Sequence, residues 1–393
     1  MTESWDVVVV GGAVMGASYA YWLTRLSSGL RVLVVEMDPT YARSATALSV
    51  ASVRQQFSNP VNVAVSRFGV AFIRDFQQAL GHDVGIASLG LKENGYLFLT
   101  GDASGRARLE RLAAMQRDEG AATEVLTPEQ ITARFPWLSV EDVTAGAFGP
   151  RDEGWFDNMG LLNGFRAAAR AQGAEFLKDR VTGLEKQAGR VTGVTLASGR
   201  RVSAGAVINA AGTRGAEVMR MLGEHLPVEP RKRTVFLIDA PNARHPDGPL
   251  LIDHTGFYMR PEHGQWIIAT VPNDDAAVDP EDFTPDADQF DEIIWPLVYA
   301  RAPGFDAVKV QRYWVGHYDY NTLDQNAVVG RWPGFENLYL LNGFSGHGLQ
   351  QSPAMGRGIA ELILHGAYQS LDLGALGAER LMTNTPFLEE AIV

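Results

Sequence analysis

Apolar and polar positions along the chain fall into two textures. The opening run Trp5-Asp6-Val7-Val8-Val9-Val10 is almost continuously β-branched and is cut off by Gly11-Gly12; a small-residue stretch then leads into Tyr19-Ala20-Tyr21-Trp22-Leu23. A second apolar run over 31–35 closes on Glu36. Strands buried on both faces of a parallel sheet are continuous rather than alternating, so this pattern predicts strand, helix and strand in a βαβ unit. Residues 59–80 carry Val61, Val65, Phe68, Phe72, Ile73 and Phe76 at helical spacing, which predicts a core helix.

From residue 90 onward shorter alternating runs take over. Asn94-Gly95 ahead of an apolar run at 96–99 reads as turn and strand, and 106–117 as a charged helix. Thr127-Pro128-Glu129-Gln130 is a helix start, with a capping residue, proline in the first turn and a capping-box glutamine. Another helix begins near 155–158 and runs to 172, and 174–212 is strand and turn. Runs at 228–240, 250–261 and 265–270 predict strands of a second sheet, and 272–303 is acidic and then helical. Last come a strand at 338–342, a glycine-rich turn at 343–350 and a helix at 352–365.

The two glycine turns carry the candidate chemistry. In Gly11-Gly12-Ala13-Val14-Met15-Gly16 the first glycine lets the chain turn off the strand, Ala13 lets backbone approach a pyrophosphate, and Gly16 lets the helix sit close on the sheet. The helix N-terminus offers N–H groups and partial positive charge to that pyrophosphate. Glu36, twenty residues after Gly16, stands where a carboxylate accepts ribose hydroxyls, and an acid there disfavours a ribose 2′-phosphate. The turn at 343–350 gathers backbone N–H groups that would stabilise negative charge on a reduced cofactor ring. Together the two turns argue for one extended dinucleotide lying across the sheet.

Composition narrows the partners. The chain has 393 residues, 46% hydrophobic and 20% charged, with a net charge of −12 and no basic block longer than Arg231-Lys232-Arg233. Nucleic acid and anionic membrane are therefore not expected partners. The fingerprint begins at residue 6 and its glycines make 7–23 a poor signal peptide or membrane span, so a cytoplasmic protein without a transmembrane segment is expected. Cysteine is absent, which excludes disulfides, thiol nucleophiles and cysteine-ligated clusters; no metal site is expected.

With the fingerprint, Arg54-Gln55-Gln56-Phe57, Asn209-Ala210-Ala211-Gly212, Trp314-Val315-Gly316-His317-Tyr318 and Gly343-Phe344-Ser345-Gly346-His347-Gly348 in place, the whole chain resembles the D-amino-acid oxidase family of FAD enzymes. Within it the likeness is to the branch of sarcosine oxidase, glycine oxidase and D-arginine dehydrogenase; the 54–57 and 318–326 segments are also similar to an FAD-containing assembly factor of mitochondrial complex I. The resemblance implies an α/β fold: a Rossmann-like FAD domain of the glutathione-reductase type from 1–85, 146–222 and 328–393, and a mostly antiparallel-sheet substrate domain from 86–145 and 223–327.

It also implies FAD contacts at Gly11, Gly12, Ala13, Val14, Met15 and Gly16, at Glu36 and Met37, and along Ser44, Ala45, Thr46, Ser49, Val50 and Ala51. Further contacts fall at Val181 through its backbone, at Ala210, Ala211 and Gly212, and at Gly343, Ser345, Gly346, His347, Gly348, Leu349 and Gln350. Arg54 matches an arginine that holds the substrate carboxylate in sarcosine oxidase, Tyr318 a pocket tyrosine, and Gln350 a lysine that shares the carboxylate. Tyr258 and Arg260 match positions that line the pocket, and His317 is a further candidate. Gly316 stands where sarcosine oxidase links its flavin through cysteine, and the first histidine is His82, so FAD is expected to be held non-covalently.

The activity so implied is FAD-dependent oxidation of a carboxylate-bearing amine, a secondary amine or an amino acid, to an imine by hydride transfer to flavin N5, followed by hydrolysis. Oxygen, a quinone or an electron-transfer flavoprotein would accept the electrons. Sarcosine oxidase activates oxygen with a lysine on the strand matching 265–270, but here no lysine lies between Lys232 and Lys309, which favours a dehydrogenase. The alternatives are a 2-hydroxy-acid dehydrogenase with His317 as base and a non-catalytic FAD-containing scaffold.

Overall fold

The computed structural model describes residues 3–81, 85 and 87–390; His82 lies outside the described residues. Its first sheet is centred on Glu3–Val10, which runs parallel to Val32–Glu36 on one side and to Arg201–Asn209 on the other. Glu175–Lys178 extends it beyond Val32–Glu36, Leu338–Asn342 and Val328–Arg331 extend it beyond Arg201–Asn209, and the hairpin Val181–Gln187 and Arg190–Leu196 branches off. The unbroken valine run has a direct cause. Val7 and Val9 pack into one hydrophobic cluster and Val8 and Val10 into another, so neither face of the strand meets water. Helix Val14–Leu26 is buried from Val14 to Thr24, because helices Asn158–Ala171 and Gly348–His365 cover it.

The second sheet is mostly antiparallel, as expected. Its order is Lys309–Asn321, Val228–Asp239, Gln265–Thr270, Phe257–Glu262, Leu250–Ile252, Tyr96–Thr100, Ala145–Gly149 and Glu124–Leu126, with one parallel pair between Leu250–Ile252 and Tyr96–Thr100. Ala145–Gly149 spans the expected border at residue 146, yet it pairs wholly within this second sheet. Among the described residues no helix is long and apolar enough to cross a membrane.

Several expectations meet the structure residue for residue. Thr127 and Gln130 form the reciprocal capping box of helix Pro128–Arg134, and Gln265–Thr270 and Leu338–Asn342 are strands with the predicted ends. Others shift for local reasons. The single strand expected over 250–261 is two, because Asp253 Oδ1 accepts from both the N–H and hydroxyl of Thr255 and turns the chain at Gly256. The last helix starts at Gly348, four residues early, and runs through Pro353. Pro353 has no N–H for the Leu349 carbonyl, and the Ser352 hydroxyl donates to that carbonyl instead, at 2.9 Å.

A buried ion pair ties the end of the chain to the first sheet. Arg380 Nε meets Asp324 at 2.6 Å, and the same guanidinium donates to the carbonyls of Leu376, Gly377, Asn326 and Ala327. Asp324 is fully buried and also accepts from Asn321 and from the Phe387 N–H. Breaking such a pair strands a charge in low dielectric. R380M is therefore expected to lower unfolding free energy by about 3–5 kcal/mol, and R380M with D324N to recover part of that loss. Urea unfolding checks this, and a loss below about 1 kcal/mol would contradict it.

Candidate active site

A cavity of about 550 Å³ runs from the first glycine turn to the second sheet. At one end Gly11 has φ +96, and a Cβ there would stand 2.5 Å from the Ala210 carbonyl oxygen; one on Gly16 would stand 1.9 Å from the Gly11 oxygen. Only backbone fits at this crossing. Helix Val14–Leu26 begins there with no side-chain cap from Ala13, and its first N–H meets Thr46 Oγ1 at 3.3 Å. The N-terminus is left facing the cavity, ready for a phosphate.

Glu36 closes this end. Its two oxygens accept from the N–H groups of Gly12 and Asp38, at 2.7 and 2.8 Å, and each keeps a lone pair for a hydroxyl. Burial pushes its carboxyl up despite those bonds. Asn209 shapes the neighbouring turn by accepting from the Ala211 N–H and donating to Gly215. Ser44 caps the short helix Ala45–Leu48, and Asn158 holds that helix from behind at the Thr46 carbonyl.

Most of the residues expected at a cofactor line this cavity: Gly11, Ala13, Val14 and Met15; Glu36 and Met37; Ser44, Ala45, Thr46, Ser49 and Val50; Val181; Ala210, Ala211 and Gly212; Gly316; and Ser345, Gly346, His347, Gly348, Leu349 and Gln350. Gly12, Gly16, Ala51 and Gly343 stand behind the lining and shape its backbone. Ala51 has φ +59, with its N–H on Ser49 Oγ and its carbonyl on the Phe156 N–H. A cavity that joins the first glycine turn to the second, two helix N-termini opening on it and the Glu36 carboxylate at one end fit an FAD molecule.

The far end is built around Arg54, which is 4% exposed. Its Nη1 donates to the Gln56 carbonyl, its Nη2 lies 2.9 Å from His347 Nε2, and its backbone N–H reaches Gln350 Oε1 at 2.6 Å. The Arg54 donor makes His347 Nε2 the acceptor, and burial with the adjacent guanidinium holds His347 well below the usual imidazole range. The Phe57 and Phe98 rings lie 4.3 and 5.3 Å from the Arg54 guanidinium. Burial lowers the Arg54 pKa, so an anion entering the cavity would offset that desolvation. Tyr96, Tyr258 and Tyr318 line the same region; Tyr258 and Tyr318 share a hydrogen bond, and burial pushes Tyr96 up to about 12.

Of two further expected residues, one lies off the cavity and the other reaches it from a different strand face. Arg260 does not line the cavity: its guanidinium is drawn to Glu262, two positions along the same strand face, to the carbonyls of Val50 and Pro261, and over Trp155. Arg233 takes the place expected of it, in a bidentate pair with Asp275 at 2.5 and 3.1 Å and with its guanidinium 5.0 Å from the Tyr318 ring. His317 reaches the cavity but faces away from Tyr318, since neighbouring strand residues alternate. Its Nε2–H donates to the Asp282 carbonyl at 2.8 Å, and burial lowers its pKa.

Sequence reasoning missed Arg233, Tyr96, Asp319 and Glu153. Arg233 shares a strand face with Val235 and Leu237, and that alternation was the available signal, hidden in a run read as a basic block. Asp319 lines the cavity and accepts from the Phe344 N–H, with burial raising its carboxyl to about 6. Glu153 is 1% exposed, and nothing in its neighbours along the chain announces that burial.

Comparison with known proteins agrees with this geometry. The family model described as "DAO: FAD dependent oxidoreductase" matches residues 6–362. FAD-dependent oxidoreductase domain-containing protein 1 of Xenopus laevis is 38% identical, over all of this chain and 85% of that protein. Mitochondrial sarcosine dehydrogenase of Mus musculus is 24% identical over 92% of this chain, which spans 40% of that longer protein. Among solved structures, L-proline dehydrogenase from P. horikoshii superposes with a TM-score of 0.84 at 26% identity, over 98% of this chain and 99% of that one. A fingerprint helix facing a dinucleotide-sized cavity, and a family match across nearly the whole chain, lead to one conclusion: the chain belongs to the DAO family of FAD-dependent oxidoreductases.

Proposed function

We propose that the protein oxidises a small amine bearing a carboxylate, a secondary amine or an amino acid, and passes the electrons to an acceptor other than oxygen. The observation that carries this reading is Arg54, a buried guanidinium on the cavity wall beside three buried or half-buried tyrosines. FAD, when bound, supplies the two-electron acceptor for the α-carbon hydride. Arg54 holds the carboxylate by charge-assisted hydrogen bonds, with Gln350 fixing its backbone. Burial keeps Tyr258 a neutral phenol that, with Tyr318, orients the amine nitrogen. The aromatic walls at Phe57 and Phe98 keep water from the guanidinium. The protein's contribution is positioning; the imine that leaves is hydrolysed in water.

Relatives support the substrate class, since sarcosine and proline, named in two of the matched proteins, are both amines that carry a carboxylate. The choice of acceptor rests on the strand Gln265–Thr270, which has no lysine. Neither nearby cation replaces one: Arg260 is engaged by Glu262, and the His263 side chain is 81% exposed at the surface. A 2-hydroxy acid would need a base for its hydroxyl proton. His317, the candidate for that base, lies on the strand face opposite Tyr318.

An anaerobic screen of amines, amino acids and 2-hydroxy acids, read by bleaching of flavin absorbance, tests the proposal. Fast bleaching by an amino-carboxylate with slow recovery in air is expected; bleaching by hydroxy acids alone, or by nothing, would overturn it. R54M should raise KM for that amine by on the order of a hundredfold, corresponding to about 2–3 kcal/mol of lost charge-assisted bonding, with FAD content unchanged. R54K should recover only part of the loss, because ammonium lacks the planar fork. H317A should leave kcat within about threefold of the parent; a loss above about a hundredfold would return the base, and the hydroxy-acid reading with it.

A further inference from the structure

Glu153 lies in the turn between strands Ala145–Gly149 and Gly154–Trp155, behind the cavity wall. One oxygen accepts from the Gln55 N–H at 2.6 Å and the other from the Gln56 side-chain amide at 2.8 Å. Gln56 in turn offers its carbonyl to Arg54 Nη1. The pocket for this carboxylate is tight: a Cβ on Gly149 would fall 2.0 Å from Glu153 Oε2, and the Glu153 carbonyl is held by the Gly95 N–H. A buried carboxylate thus fixes both residues that follow the arginine, and it lies within electrostatic reach of the guanidinium.

We propose that Glu153 is a positioning residue for the substrate carboxylate: it holds Arg54 through Gln55 and Gln56, and anion binding at Arg54 draws a proton from water onto Glu153. This rests on the reading of Arg54 given above. A second negative charge on the same guanidinium opposes the first, so the two are linked through one cation. Burial pushes the Glu153 carboxyl up to about 7, which brings the exchange into the neutral range.

The surrounding charges are few. Arg54 and Tyr96 face Glu153 from the 54–57 segment and the strand Tyr96–Thr100. Tyr318, Glu389 and the neutral His347 meet Arg54 from its other sides. Arg74, Glu93 and Asp152 form an ion cluster at the surface of the same turn. Asp319 is the other cavity carboxyl raised toward neutrality, to about 6.

The test is the affinity of the holoprotein for methoxyacetate, a carboxylate without an amine, followed by flavin absorbance from pH 5.5 to 9 in the parent, E153Q and E153D. The parent should bind about tenfold more weakly at pH 8 than at pH 6. E153Q should lose that dependence, and E153D should keep it while binding more weakly throughout. A step that persists in E153Q, or a parent affinity independent of pH, would overturn this inference alone and leave the carboxylate reading standing. No binding by the parent at any pH would overturn that reading and this inference with it.

Discussion

The cavity exists because backbone meets backbone where no side chain fits. Gly11 crosses the end of Arg201–Asn209 at the Ala210 carbonyl and Gly16 sits on the Gly11 carbonyl, while Gly69 lets helix Pro60–Arg74 approach the Gln350 carbonyl and Gly356 lets helix Gly348–His365 approach Ser18 just as closely. A Cβ at any of the four would stand 1.9–2.5 Å from its neighbour, a distance no relaxation of a side chain relieves when the neighbour is a carbonyl. The consequence is electrostatic as much as steric. Helices Val14–Leu26 and Gly348–His365 are brought in with their N-termini toward one space, so the partial positive charge of two helix ends is directed at the cavity an FAD molecule would fill. That suits a chain whose net charge is −12.

At the other end of the cavity the same economy gives way to buried charge. Arg54 is almost fully withdrawn from water and is held by a carbonyl, an imidazole and two aromatic faces. A guanidinium in that setting is costly to keep, so a carboxylate bound there would be worth more to it than to an arginine at the surface. Arg233, a further arginine of the cavity lining, already has Asp275 on both its terminal nitrogens, so it contributes shape and a stacked face for Tyr318 rather than a second anion site.

Much of this was legible in the sequence, for reasons that differ by element. The valine run, the glycine fingerprint and the capping box at Thr127 are local rules, and local rules survive folding. Arg54, Tyr258, Tyr318 and Gln350 were found through resemblance, and all four line the cavity. Arg260 and Arg233 were exchanged because both sit on strands of the second sheet, and which one reaches the cavity depends on what else competes for each guanidinium. Glu262 captures one, Asp275 the other, and no spacing rule encodes that competition. Glu153 was illegible because its burial is made by the glycine at 149 and by a segment nearly a hundred residues away.

If a substrate carboxylate held at Arg54 places the amine for oxidation, removing that carboxylate must slow reduction of the flavin. Anaerobic single-turnover reduction of the flavin can be followed with one good amino-acid substrate and with its methyl ester, which keeps the amine and the α-carbon hydrogen but removes the anion. The expected result is fast reduction by the acid, and for the ester a reduction rate divided by half-saturating concentration lower by on the order of a hundredfold, following the loss of about 2–3 kcal/mol of charge-assisted bonding. Equal rates for acid and ester at matched saturation and with matched half-saturating concentrations would contradict it.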